Sequence, residues 1–139
     1  MSLIVLAGLY SCQAQPEPIQ YGSDLCHNCK MTLMDEKFGC ELITKKGKVF
    51  KFDDVVCLLR YLRAGTIAKK DISQLVVVNY VKKGELLPVE QAFFLVSDHI
   101  QSPMGSNTAA FATREAALRN NTGGSGVIKS WNELEKAKF

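Results

Sequence analysis

The chain has 139 residues and a formal net charge of +3, from 17 basic and 14 acidic side chains. An apolar content of 47% and a charged content of 22% belong to one ordinary folded domain, or to two very small ones, and not to a disordered chain. The lysines are spread rather than blocked, which argues against nucleic acid as a partner. No apolar run reaches the ~18 residues of a membrane-spanning helix.

The N-terminal residues 1–10 are apolar and end at Ser11-Cys12. Leu9-Tyr10-Ser11-Cys12 has the form of a bacterial lipobox, with cleavage before Cys12 and lipid on its thiol. No Lys or Arg precedes the run, and a short buried strand or helix is the alternative. Gln13-Ala14-Gln15-Pro16-Glu17-Pro18 follows, and its two prolines favour extended backbone. Residues 13–25 would reach on the order of 40 Å when extended, long enough for a mobile tether. The expected organisation is a signal-like segment at 1–11, a lipid-attached polar linker at 12–25 and a domain at 26–139.

Cys26-His27-Asn28-Cys29-Lys30-Met31 packs four soft or borderline metal donors into six residues. Thiolate and thioether together favour Cu(I), because both are polarizable. Lys30 adds a positive charge expected to lower the thiol pKa. Zinc would want four ligands in a closed tetrahedron, and the chain has no second Cys-x-x-Cys or His-x-x-x-His to complete one. Haem attachment needs His where Lys30 stands. A thioredoxin-like redox pair needs a strand before Cys26, which Pro16, Pro18 and Gly22 oppose. A structural disulfide between Cys26 and Cys29 is the nearest competitor to metal binding.

Phe38–Thr44 alternates as a strand, Lys45-Lys46-Gly47 as a turn and Lys48–Phe52 as the return strand. Asp53-Asp54 caps a helix whose apolar stripe is Val55, Val56, Leu58, Leu59 and Leu62, and Gly65 ends it. Leu75–Val81 reads as a strand buried on both faces. A second unit follows, with strands at Ala92–Val96 and Ala109–Ala112 and a helix capped by Thr113. A glycine-rich turn at Gly123–Gly126 lacks the spacing of a phosphate-binding motif. It leads to a last strand at Val127–Lys129 and a terminal helix announced by the Ser130-x-x-Glu133 capping box. Aligning Phe52 with Phe111, at a spacing of 59, also aligns Asp54 with Thr113, Leu59 with Leu118 and Arg60 with Arg119, a weak internal repeat. The fold class is therefore α+β, with two similar β-β-α-β halves of about 26–84 and 85–139.

Cys40 and Cys57 lie on apolar faces and read as core. Met34 falls where a strand would bury it. Met104, in Ser102-Pro103-Met104-Gly105, has little packing reason to sit in a turn and is a candidate ligand. His99 reads as a surface residue.

Taken together, Leu9 to Cys12, Pro16–Ile19, Cys26-x-x-Cys29-Lys30-Met31, Phe52-Asp53-Asp54 with Cys57, and Pro103-Met104-Gly105 before Phe111 resemble the NosL family. These are accessory lipoproteins that supply copper for nitrous oxide reductase. The resemblance spans nearly the whole chain, and members commonly carry glycine where this chain has Lys30. It implies a periplasm-facing, lipid-anchored protein rather than an enzyme. The implied site holds Cu(I) on Cys26, Cys29, Met31 and Met104, and passes it by ligand exchange to a copper-site maturation complex and nitrous oxide reductase. The alternatives are a thiol–disulfide oxidoreductase acting on copper-site cysteines, and a lipoprotein interaction module with a structural disulfide.

Overall fold

A computed structural model describes residues 14–139; the signal-like segment and Cys12 lie outside the described residues. Two small antiparallel sheets form the frame. The first runs in the order β2-β1-β3-β4, from β1 (Cys40–Thr44), β2 (Val49–Phe52), β3 (Ile72–Val78) and β4 (Leu86–Pro88). The second runs β6-β5-β7, from β5 (Phe93–Val96), β6 (Thr108–Phe111) and β7 (Val127–Lys129). Helix α1 (Val55–Ala64) connects β2 to β3, and α2 (Arg114–Asn120) connects β6 to β7. Helix α3 (Trp131–Lys136) closes the chain.

The two halves therefore share one topology, a hairpin, a helix and a third strand paired to the first. Their registers agree as well. Cys40 pairs with Phe52 and Phe93 pairs with Phe111, so β1 and β5 superpose residue for residue. The aligned caps are both real: the Asp54 side chain accepts from the Val56 N–H, and the Thr113 side chain accepts from the Ala116 N–H. These caps satisfy amides that the first turn leaves without helical partners. The aligned leucines behave differently. Leu59 is buried, whereas Leu118 is exposed.

Gly65 ends α1 in the left-handed region at φ 68°, and its N–H closes on the Leu62 carbonyl, as a helix-stopping glycine does. The terminal capping box forms in full between Ser130 and Glu133. Strand β3 ends at Val78, three residues before the expected end, and Val81 is exposed. The short edge strand β4 has no expected counterpart. It contains Pro88, which an edge tolerates because no ladder donor is needed there.

Alternation sorts each sheet into two faces. Cys40, Leu42, Phe50, Phe52, Leu75 and Val77 pack with the buried face of α1. Leu95, Ala109 and Phe111 pack with Ala116 and Ala117 of α2. The reverse face of the second sheet, Phe94 and Ala110, joins the first core along with Trp131 and Leu134 of α3. The Tyr80 N–H donates to the Ala110 carbonyl at 2.8 Å, tying the chain just beyond β3 to β6.

The remaining face, the outer side of the first sheet, is covered by the segment from Ala14 to Tyr21. That segment has no regular secondary structure before the turn at Tyr21, and it is docked rather than free. The Gln74 amide donates to the Ala14 carbonyl at 3.0 Å, the Glu17 N–H donates to Glu41 Oε2 at 3.1 Å, and Lys51 Nζ donates to the Pro18 carbonyl at 3.3 Å. A β-carbon on Gly39 would come within 2.8 Å of Ile19 Cδ1, so the strap lies directly on the strand.

Candidate metal centre

The strap leads into a tight knuckle. Leu25 and Thr32 form an antiparallel bridge, and the Cys26 N–H donates to the Met31 carbonyl at 2.8 Å. The Lys30 N–H returns to the Cys26 carbonyl at 2.9 Å, with Lys30 itself at φ 66°. That left-handed position is one where glycine costs nothing and lysine is strained.

His27 fastens the knuckle to β2. Its N–H donates to the Lys51 carbonyl at 2.8 Å, and the Lys51 N–H donates to His27 Nδ1 at 3.0 Å. The ring stands edge-on to Phe50, 4.9 Å between centroids. Nδ1 is therefore engaged as an acceptor, and the histidine between the thiols is a structural pin. Asp24 and Lys51 add an ion pair at 2.7 Å beside it.

The knuckle and the start of α1 bring three sulfurs together. Cys26, Cys29 and Cys57 place their Sγ atoms within 4.8 Å of one another. All four described cysteines are free thiols. Cys57 is buried, as its apolar face requires, and it sits three residues after the Asp54 cap. Sequence reading assigned it to the core alone. The core and the cluster are the same place, because the knuckle lies over the N-terminal turn of α1. Cys40 is also buried, but it is not part of the three-sulfur group.

The electrostatics single out one thiolate. Cys26 is pulled down to about 4, chiefly by the hydrogen bond from the Cys57 thiol, against the opposing effect of burial. Backbone N–H groups of Cys29, Asp53 and Asn28 add to the pull. The Cys29 N–H lies 3.5 Å from Cys26 Sγ. Lys30 was expected to supply this effect. Its ammonium instead caps the His27 carbonyl at 2.9 Å, and hydrogen bonds to the sulfur dominate. Cys57 moves strongly upward because it donates to Cys26 and is buried, and Cys29 moves upward through burial. Burial and the Cys26 charge push Asp53 up to about 6. The shifts favour the charged form of Cys26 and the protonated forms of Cys29 and Cys57.

The methionines divide. Met104 is half-buried and packs against the core that contains the three thiols. Its N–H donates to Asp54 Oδ2 at 3.0 Å. Met31 is 56% exposed at the rim of the knuckle, and Met34, expected to be buried, is 69% exposed. No strand forms there: Leu33 turns inward and its neighbours turn out. His99 is exposed and lies against Gly123, away from the cluster.

Fold and site define a small α+β protein with three clustered thiols, Cys26 and Cys57 buried and Cys29 part-buried, a donor set for a soft metal ion. The family model for NosL matches residues 19–139, and the chain belongs to the NosL family. The solved structure of the copper chaperone NosL from Shewanella denitrificans has the same fold, with a TM-score of 0.66 at 20% identity over 90% of this chain and 98% of that one. No curated protein matches the chain.

Proposed function

We propose that the protein carries Cu(I) as cargo on Cys26, Cys29 and Cys57, with Met104 as an additional thioether, and releases it by ligand exchange. The observation that carries this reading is the trio of sulfurs within 4.8 Å of one another, two of them buried and Cys29 part-buried. That spacing suits a trigonal thiolate site, and polarizable sulfur selects Cu(I) over harder ions. The described name of the Shewanella protein, a copper chaperone, and the shared family support the same reading.

The Cys26 thiolate is the first landing point. Copper binding then displaces the Cys57 and Cys29 protons. The thioethers hold the ion more weakly than the thiolates do. Met31, exposed at the rim, is available to meet copper outside the clustered sulfurs. The recipient under this proposal is the machinery that matures nitrous oxide reductase. Cys12 carries the lipid, and the domain faces the periplasm.

A thiol–disulfide oxidoreductase draws support from the low position of Cys26. That chemistry needs the nucleophilic sulfur to reach a partner disulfide. Cys26 is fully buried, so the geometry favours a small ion over a protein disulfide as its ligand.

The test is an anaerobic competition between the reduced chain and a chromogenic Cu(I) chelator. One Cu(I) per chain, weakened by Cys26→Ser, Cys29→Ser and Cys57→Ser alike, is the expected result. A chain that fails to compete, or that competes equally well without Cys57, overturns the three-thiol site. Delivery is tested separately, by loading copper-free nitrous oxide reductase in the presence of its maturation proteins. Membrane fractionation of wild type and Cys12→Ala tests the anchor.

A further inference from the structure

Asp54 has more partners than a helix cap needs. Its side chain is fully buried. Oδ1 accepts from the Val56 N–H at 3.2 Å, which caps α1, and also from the Ser106 hydroxyl. Oδ2 accepts from the Met104 N–H at 3.0 Å. The aligned cap in the second half, Thr113, serves its own helix by accepting from the Ala116 N–H. One carboxylate thus joins the turn that carries Cys57 to the loop that carries Met104.

That loop runs from Ser97 to Asn107 and has few other fixings on this side. The Ser102 and Ser106 hydroxyls pair at 3.0 Å, and Ser102 Oγ accepts from the Asn107 N–H at 3.0 Å. These bonds shape the loop internally. They do not set its distance from the thiols. The bonds to Asp54 do, because Asp54 is rigidly fixed at the start of the helix that places Cys57.

We propose that Asp54 is a positioning residue of the metal centre, holding the Met104 thioether over the three thiols so that it serves as the fourth sulfur donor. The inference rests on the copper reading above and adds the residue that builds the thioether side of the site. Asp54 does not touch the ion. It acts through the main chain of Met104.

The experiment is a double-mutant cycle on the full chain, using Asp54→Asn, Met104→Ala and both together. Asparagine keeps an acceptor for the Val56 N–H but presents an amide to the Met104 N–H. Cu(I) affinity is read by chelator competition, and the sulfur count around copper by X-ray absorption. Asp54→Asn is expected to weaken binding about tenfold, the usual scale for a residue that orients a ligand, and to remove one sulfur neighbour. In the Met104→Ala background the same change is expected to shift affinity less than about twofold, because the donor it positions is gone. An equal loss in both backgrounds, or an unchanged sulfur count, reduces Asp54 to a cap and overturns the inference. Wild-type affinity in Met104→Ala overturns it too, while leaving the three-thiol reading standing. A wild-type chain that binds no Cu(I) overturns both. If Asp54→Asn does not fold, Ser106→Ala removes another bond to the same carboxylate and is expected to give a smaller loss, again suppressed by Met104→Ala.

Discussion

The two halves of this protein are built on one plan and put to different uses. In the first, the capped helix carries Cys57 in its opening turn; at the aligned position the second carries Ala116. In the first, a tight turn at 45–48 joins the hairpin; in the second, the long loop 97–107 replaces it and delivers Met104. The outer face of β1 holds Glu41, where β5 holds Phe94 at the same register. Phe94 is covered by Trp131, 5.8 Å between ring centroids, whereas Glu41 is covered by the strap. A repeated scaffold thus fixes the positions, and local differences decide what each does. The thiols come from one copy and its knuckle, and the thioether from a lengthened loop in the other.

The sharpest way to break this asymmetry is at the matched helix positions. Cys57→Ser is expected to weaken Cu(I) binding by on the order of a hundredfold, about 2.7 kcal/mol, in chelator competition. Ala116→Ser, its counterpart, is expected to leave affinity unchanged within about threefold. Equal effects would mean that the halves do not divide labour as described.

The caps come next. Thr113→Ala removes one hydrogen bond at a helix start and should cost about 1 kcal/mol. Asp54→Ala removes the same bond and also strands the Met104 N–H and the Ser106 hydroxyl, so about 2–3 kcal/mol is expected. Urea unfolding of the two variants measures the difference, and equal losses would remove the case for a bridge between the halves.

Glu41 probes the outer faces. Burial pushes its carboxyl from 4.5 up to about 7, and Oε1 has no hydrogen-bond partner. Below about 4.5 both the folded and unfolded chains keep this proton, and the contribution to stability is complete. Between there and about 7 the unfolded chain releases a proton that the folded chain holds, so stability falls as pH rises, and it levels off above. The loss is on the order of 3 kcal/mol. Asp53 shifts in the same direction, so the informative quantity is the difference between wild type and Glu41→Gln. That variant should be the more stable chain at pH 8, with a shallower pH dependence. An unchanged pH profile would show that Glu41 does not hold its proton under the strap.

The smallest effect is at the knuckle. Lys30 sits at φ 66° with its side chain exposed, so Lys30→Gly should raise stability by roughly 0.5–1 kcal/mol through relief of backbone strain. A lower melting temperature would show that the bond from its ammonium to the His27 carbonyl outweighs that strain.

Much of this was legible in the chain itself. The alternation in residues 38–52, the caps Asp54 and Thr113 and the box Ser130-x-x-Glu133 are local patterns. They work through bonds spanning a few residues, so sequence determines them and with them the α+β class. The pairing of Cys26 with Cys29 is local too, because a knuckle brings thiols three residues apart to one side. Cys57 was not legible as a member of the three-thiol group. On a helix, a buried cysteine facing the core and one facing two other thiols have the same periodicity. Only the docking of the knuckle over α1 tells them apart. Met34 departs from its expected burial for the same reason: residue type names a possible core residue, but the neighbouring backbone decides where the side chain goes. The strap is the clearest case. Its prolines favoured an extended backbone, and nothing in them dictated that this backbone would lie on the sheet above Glu41. Sequence by itself determined most of the elements, their caps and the chemistry of the clustered side chains. Tertiary structure decided which thiols meet and where Met104 packs, because the contacts of Cys57 with the knuckle and of Met104 with Asp54 join residues far apart in the chain, and such contacts leave no periodic trace.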